Sequence, residues 1–259
     1  LEEMGIRPVT SHHEKGPGQN EIDYQSGEPL EAADNFITYK SAVKTIAHRN
    51  GLYASFMPRP LNDWNGSGLH IGISLLRGRT DVLHAGSNGY SAEGAAFIAG
   101  ILRRVPEITL FLNPSANSYT RLGTPTVPGY LAWTGKNRSQ LLRGVPAIGS
   151  EPARIELRSP DPLANPYFAY ALLLHAGLEG VEEGLTLASP QDQELTPGAA
   201  ASLPALPSTL LAAVELAEAS EFVRRILPAA ALAPYLQAKR READESDGES
   251  ISRAHARYF

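Results

Sequence analysis

The chain has 259 residues, 42% hydrophobic and 20% charged, with a formal net charge of −5, which is long enough for one large domain with a substantial core. Neither charge sign dominates and no basic run stands out, so composition excludes a nucleic-acid or acidic-membrane partner as an expectation. The sequence has no cysteine, which removes disulfides, thiolate metal sites and cysteine nucleophiles together.

In chain order, PVTSHHE, NEIDY, YASFMP, LHIGISLL, ITLFLN and ARIELRS carry the alternation or β-rich composition of strands, each bounded by Gly, Pro or Asn. Helical periodicity runs through AADNFITYKSAVKTIAHRN, SAEGAAFIAGILRRV, NPYFAYALLLHAGLEGVEEGL and the tail from about Ser208 to Asp247. The Pro/Ala-rich stretch LTLASPQDQELTPGAAASLPALPS reads as a loop before that tail. The expected fold is α+β, a largely antiparallel sheet flanked by helices with a helical C-terminal tail. The sheet-bearing part is expected over about 1–185 and the tail over about 205–250.

No apolar stretch reaches the roughly 18 residues of a spanning helix. The first residues, LEEMGIRPVT, have neither a basic region nor an apolar run typical of a secretory signal. The expectation is a cytoplasmic protein without a membrane partner. The chain opens with Leu rather than Met, which suggests a piece of a longer polypeptide.

Chemistry-bearing residues concentrate in a few segments. SHHEKGPGQNEIDY sets Glu14 and Glu21 on either side of a Gly-Pro-Gly turn, so both can share one face of a hairpin. Two carboxylates that close repel unless a cation lies between them, although exposed acids are the commoner case. His70 follows a Gly-rich turn at the start of an apolar strand, where a structural histidine is the commoner outcome. Alternation along ARIELRS puts Arg154, Glu156 and Arg158 on one face, either an exposed edge or a cleft wall. Arg121, Arg138 and Arg143 lie among small, polar and Pro/Gly residues, and arginine suits a bidentate grip on carboxylate or phosphate. Carboxylates and imidazole without thiols suit Mg²⁺ or Mn²⁺, the ions of phosphoryl chemistry.

The blocks HHEKGPGQNEID, AVKTIAHRNGLYASFMPRP, NGSGLH, NPSANSYTRL, NRS and RIELRSPDPLANPY, in that order, resemble the catalytic domain of type I bacterial glutamine synthetases. The tail YLQAKRREADE resembles that family's C-terminus. The resemblance implies a curved, largely antiparallel sheet and ATP-dependent ligation of ammonia to glutamate through a γ-glutamyl phosphate. It implies Glu14 and Glu21 as ligands of a divalent ion on the glutamate side, and His70 and Glu156 as ligands of an ion bridging ATP phosphates. Asn65, Gly66, Arg121 and Arg158 match glutamate-holding positions, Arg138 and Arg143 those that stabilise the transferring phosphoryl group, and Ser74 and Arg154 nucleotide-side positions. His12 and His13 are read as groups that orient Glu14.

Other implications concern what this stretch lacks. The family's upstream acidic pair and N-terminal β-grasp domain have no counterpart here, so residues 1–259 are expected to be the C-terminal portion of a catalytic domain, inactive in isolation. A homo-oligomer is expected of the full protein. The segment after Arg121, LGTPTVPGYLAW, has no acid where classical members carry a glutamate that handles ammonium, which brings in a γ-glutamyl-amine or polyamine ligase as the alternative. No tyrosine lies between Gly184 and Leu203, so adenylylation control is not expected. A non-catalytic metal- or nucleotide-binding interaction domain is the alternative of a different class.

Overall fold

The computed structural model describes residues 1–84, 89–124, 127, 129–136, 138, 140–147, 152–193 and 202–246. It opens with a hairpin, β1 (Pro8–His13) and β2 (Asn20–Tyr24), followed by α1 (Pro29–Arg49). β3 (Ile71–Ile73) and the small hairpin β4 (Leu76–Arg77) and β5 (Thr80–Asp81) precede α2 (Ala92–Leu112). Then come a 3₁₀ turn (Ala116–Thr120), β6 (Trp133–Thr134), β7 (Leu142–Val145), β8 (Arg154–Leu157) and α3 (Pro166–Glu182). The tail forms α4 (Leu210–Ala219), α5 (Glu221–Ile226) and α6 (Ala229–Glu245).

The helix starts follow local chemistry. Ser91, Asn165, Thr209 and Ser220 each accept from a backbone N–H in the first turn of the helix they precede, satisfying donors that have no intrahelical partner. The central sheet has the order β3-β8-β7-β6, antiparallel except for the parallel β6/β7 pair. Its middle strands divide their side chains by alternation. Leu142, Ile155 and Leu157 enter the core, while Arg143, Arg154 and Glu156 face the other way, half-buried.

One apolar cluster joins the sheet to the helices: Phe97, Ile101, Ile108 and Phe111 from α2, Leu172, Leu173 and Ala176 from α3, and Val214, Phe222 and Val223 from the tail. The α2–α3 contact is close because it runs over glycines. A Cβ on Gly100 would lie 2.2 Å from the Ala176 carbonyl oxygen, and one on Gly180 would lie 2.2 Å from that of Ala96.

Two expected strands are not strands. ITLFLN belongs to α2, which passes through Pro106 and ends at Leu112. Residues 108–112 are buried on every side, and a helix buried all round loses the 3.6-residue signature that separates it from a buried strand. YASFMP is extended without a ladder. Pro58 has no N–H to donate, its carbonyl accepts from Ser67 N at 2.7 Å, and the next N–H, that of Arg59, goes to Asn117 Oδ1 at 2.7 Å.

Candidate functional site

Three groups of residues make up the site. The first lies on the polar face of the central sheet. Glu156 pairs in register with Arg143 on β7 and with Gly72 on β3. Its carboxylate accepts from Arg158 Nη1, and Arg143 Nη1 lies 3.8 Å from the same oxygen. Gly72 leaves room for a neighbouring arginine: a Cβ there would lie 3.1 Å from Arg154 Cδ. Ser74 follows Ile73, whose partner is Ile155, so continuation of the register sets Ser74 opposite Arg154.

The charges on this face shift one another. Burial works to raise the Glu156 pKa, but His70, Arg158 and Arg143 outweigh it and hold the carboxyl below its ordinary range. His70 is exposed, with its Nε2 against the Gly68 position, 3.3 Å from where a Cβ would stand. Burial first, then the Arg158 charge, push its pKa down to about 4 against the pull of Glu156. The imidazole is therefore neutral at pH 7, the form that ligates metals. Burial and the charges of Arg138, Arg158 and Arg154 lower the Arg143 pKa, opposed by Glu156. Arg138 is exposed, and its neighbours Asn137 and Ser139 in the NRS motif lie outside the described residues.

The second group surrounds Arg121, which is 2% exposed. Its Nη1 donates to the Ser159 carbonyl at 2.7 Å and the Pro160 carbonyl at 3.2 Å, and Nη2 donates to the Arg158 carbonyl at 3.5 Å. Burial lowers its pKa to about 10, so the guanidinium stays charged. The carbonyl loop is held in turn by Asp161, fully buried, whose carboxylate accepts from Asn113 Nδ2 at 3.0 Å and from Leu163 N at 3.0 Å. Burial raises the Asp161 pKa, with Arg121 the largest opposing influence. Across the guanidinium lies the loop Asn65–Gly68. A Cβ on Gly66 would lie 2.1 Å from the Pro58 carbonyl oxygen, and one on Gly68 would lie 2.6 Å from Arg121 Nη2 and 3.3 Å from His70 Nε2. At Gly66 the obstacle is backbone, so only glycine fits, whereas a side chain at Gly68 would push on the Arg121 guanidinium.

The third group is the β1–β2 hairpin. Sequence spacing put Glu14 directly opposite Glu21. The observed turn is shorter, with Glu14 N donating to Gln19 O and Gln19 N to Gly16 O, so Glu21 faces His12. A slip of two residues preserves the face, and Glu14, two residues on from His12, sits diagonally beside Glu21. His12 Nε2 lies 3.3 Å from Glu14 Oε1 and 3.9 Å from Glu21 Oε2. One donor atom from each of the three falls within 4.8 Å of the others. Burial, Asp23 and Glu14 raise the Glu21 pKa, with His12 opposing. This donor set of two carboxylates and an imidazole fits a hard or borderline divalent ion. On the sheet, His70 and Glu156 offer two such donors.

One side chain links hairpin and sheet. Gln19 Nε2 donates to the Gly66 carbonyl at 3.1 Å and to Ser67 Oγ at 3.3 Å, and Asp23 also contributes to the field at His70. Sequence reading missed Gln19, the cluster position of His12 and the Asp161–Asn113 support. The period-two spacing of His12 and Glu14 was the available signal for His12. Nothing in the sequence marks an amide that reaches across 47 residues.

Comparison with known proteins identifies the family. The family model "Glutamine synthetase, catalytic domain" matches residues 1–257. Glutamine synthetase of Methanosarcina mazei is 41% identical over 260 aligned residues, covering 95% of this chain and 56% of that protein. Glutamine synthetase of Clostridium saccharobutylicum is 47% identical over 192 residues, covering 71% of this chain and 42% of that protein. The chain thus spans about half the length of the curated relatives it matches. A solved structure titled "GmaS/ADP complex-Conformation 1" superposes with a TM-score of 0.86 at 33% identity, covering 96% of this chain and 59% of that one. With the catalytic-domain match running from residue 1 to residue 257, the chain belongs to the glutamine synthetase family.

Proposed function

We propose that the protein is an ATP-dependent ligase that joins ammonia to the γ-carboxyl of glutamate, giving glutamine. The glutamate carboxylate attacks the γ-phosphorus of ATP and releases ADP, and the nitrogen nucleophile then displaces phosphate from the γ-glutamyl phosphate. The observation that carries this reading is the pairing of an arginine-rich face around Glu156 with a carboxylate–imidazole cluster on the adjoining hairpin. Phosphoryl transfer asks of a protein mainly that it position its reactants and neutralise charge.

In this reading Glu14 and Glu21, joined by His12, hold one Mg²⁺ or Mn²⁺, and His70 and Glu156 contribute to a second. Such ions neutralise charge on the oxygens of the transferring group. Arg138 and Arg143 face that same charge. Arg121, Arg158, Asn65 and Gly66 hold glutamate, with the charged Arg121 fixed against the Gly66–Gly68 loop. Ser74 and Arg154 lie to the nucleotide side. The neighbour solved as an ADP complex supports a nucleotide substrate, and the names of the relatives support glutamine as product. We also propose a homo-oligomer.

A second reading, ligation of a larger amine to glutamate, is favoured by the acid-free segment LGTPTVPGYLAW, of which residues 125, 126 and 128 lie outside the described set. An ADP-release assay on the full-length polypeptide decides between the two, with glutamate, ATP and Mg²⁺ and with ammonium set against a panel of alkylamines and polyamines. Turnover with ammonium is expected. Turnover with amines alone would replace the first reading by the second, and no glutamate-dependent ADP release with any nucleophile would reject both.

A further inference from the structure

Arg121 is held from a direction that the site itself does not reveal. It is the C-cap of the 3₁₀ turn Ala116–Thr120, its own N–H donating to the Ser118 carbonyl at 3.1 Å. The turn is pinned at its middle and at its start. Ser118 is bonded to Asp161, the support of the carbonyl loop that grips the guanidinium. At the turn's start, the Ala116 N–H donates to Glu242 Oε1 at 3.3 Å.

Glu242 belongs to α6, in the tail, and is a carboxylate only 8% exposed. Its other oxygen accepts from Lys239 Nζ at 2.9 Å. Leu232, Tyr235, Lys239 and Glu242 recur at helical spacing and form one face of α6. Tyr235 stacks on Phe111 with ring centroids 5.2 Å apart, and its hydroxyl donates to the Leu110 carbonyl at 3.3 Å. The tail helix therefore seats on the end of α2 and presents one buried carboxylate to the turn that ends in Arg121. A buried carboxylate needs hydrogen-bond donors, and a backbone N–H at a helix start needs an acceptor.

We infer that Glu242 is a positioning residue: by accepting from the Ala116 N–H it fixes the 3₁₀ turn and, through it, the Arg121 guanidinium that binds glutamate. This inference rests on the reading of Arg121 as a glutamate-holding residue and extends it to a side chain 121 positions away in sequence.

The test is steady-state kinetics on the full-length protein with variants that break the bond from either side. Glu242→Leu removes the acceptor. Ala116→Pro removes the donor, at a first helical position where proline is tolerated and after Ser115, whose φ −129° and ψ 158° suit a residue preceding proline. Both are expected to raise KM for glutamate about three- to tenfold with little change in kcat or in KM for ATP. Glu242→Gln, which keeps an oxygen for the N–H, is expected to restore the wild-type glutamate KM. Should Glu242→Leu fail to fold, Ala116→Pro and Glu242→Gln still decide. Wild-type glutamate KM in Ala116→Pro would overturn the inference, as would equal effects on both substrates. Arg121→Lys is the separate control: if it leaves glutamate KM unchanged, the reading of Arg121 itself fails, and a rise there with no effect of Ala116→Pro would reject the role of Glu242 alone.

Discussion

Arg121 and the two glycines opposite it are a single mechanical unit, since the space that Gly66 and Gly68 leave empty is the space the guanidinium and the Pro58 carbonyl occupy. Gly68→Ala therefore displaces the charge that we propose for glutamate binding, and its expected outcome is a glutamate KM raised by about tenfold or more with a smaller effect on KM for ATP. Steady-state kinetics at saturating ATP checks it. At this scale the sequence disclosed residue types and faces but not pairings. Arg154, Glu156 and Arg158 were legible as one face because a strand repeats every two residues. The partner of Glu21 was not, because a turn shorter by two residues moves the opposing residue from Glu14 to His12 without changing the face.

The packing of helix on helix carries its own consequences. Because the α2–α3 contact closes over Gly100 and Gly180, a single methyl at Gly100 meets backbone rather than a movable side chain. Gly100→Ala is expected to destabilise by about 1–3 kcal/mol or more through overpacking, read from denaturant midpoints. On the flank of the same pair, Glu179 accepts from Arg104 Nε at 2.7 Å and pairs with Arg103 Nη2 at 2.8 Å and Arg225 Nη2 at 2.7 Å. The bond to Arg104 leads in pulling its pKa down to about 2, burial opposing. A carboxyl whose folded pKa lies below its unfolded value stabilises the fold above the unfolded pKa, near 4.5, and loses that contribution as pH falls toward 2. Thermal melts of wild type should therefore fall more steeply between pH 4.5 and 2 than those of Glu179→Gln. Elements were legible in the sequence where one face met solvent, as in α1. They were not where burial erased the period, as in residues 108–112 of α2.

For the whole molecule the question is whether the tail is a separate body. Val214, Phe222 and Val223 lie in the same apolar cluster as Phe97 and Leu172, so amides of α4 are expected to exchange hydrogen with the same opening free energy as those of α2 and α3. A distinctly lower value for α4 in native-state exchange would make the tail an independently opening unit. The glycine-lined side of the site has a consequence for how this scaffold could change its substrate over generations of mutation. A side chain at residue 66 meets backbone and one at residue 68 meets the Arg121 guanidinium, which is committed to carbonyls on its far side. Variation is therefore channelled to neighbours with free space around them, such as Trp64, half exposed one position before Asn65. A library randomised at Trp64 is expected to return mostly folded clones, whereas one randomised at Gly66 is expected to return few, because a side chain there meets the Pro58 carbonyl.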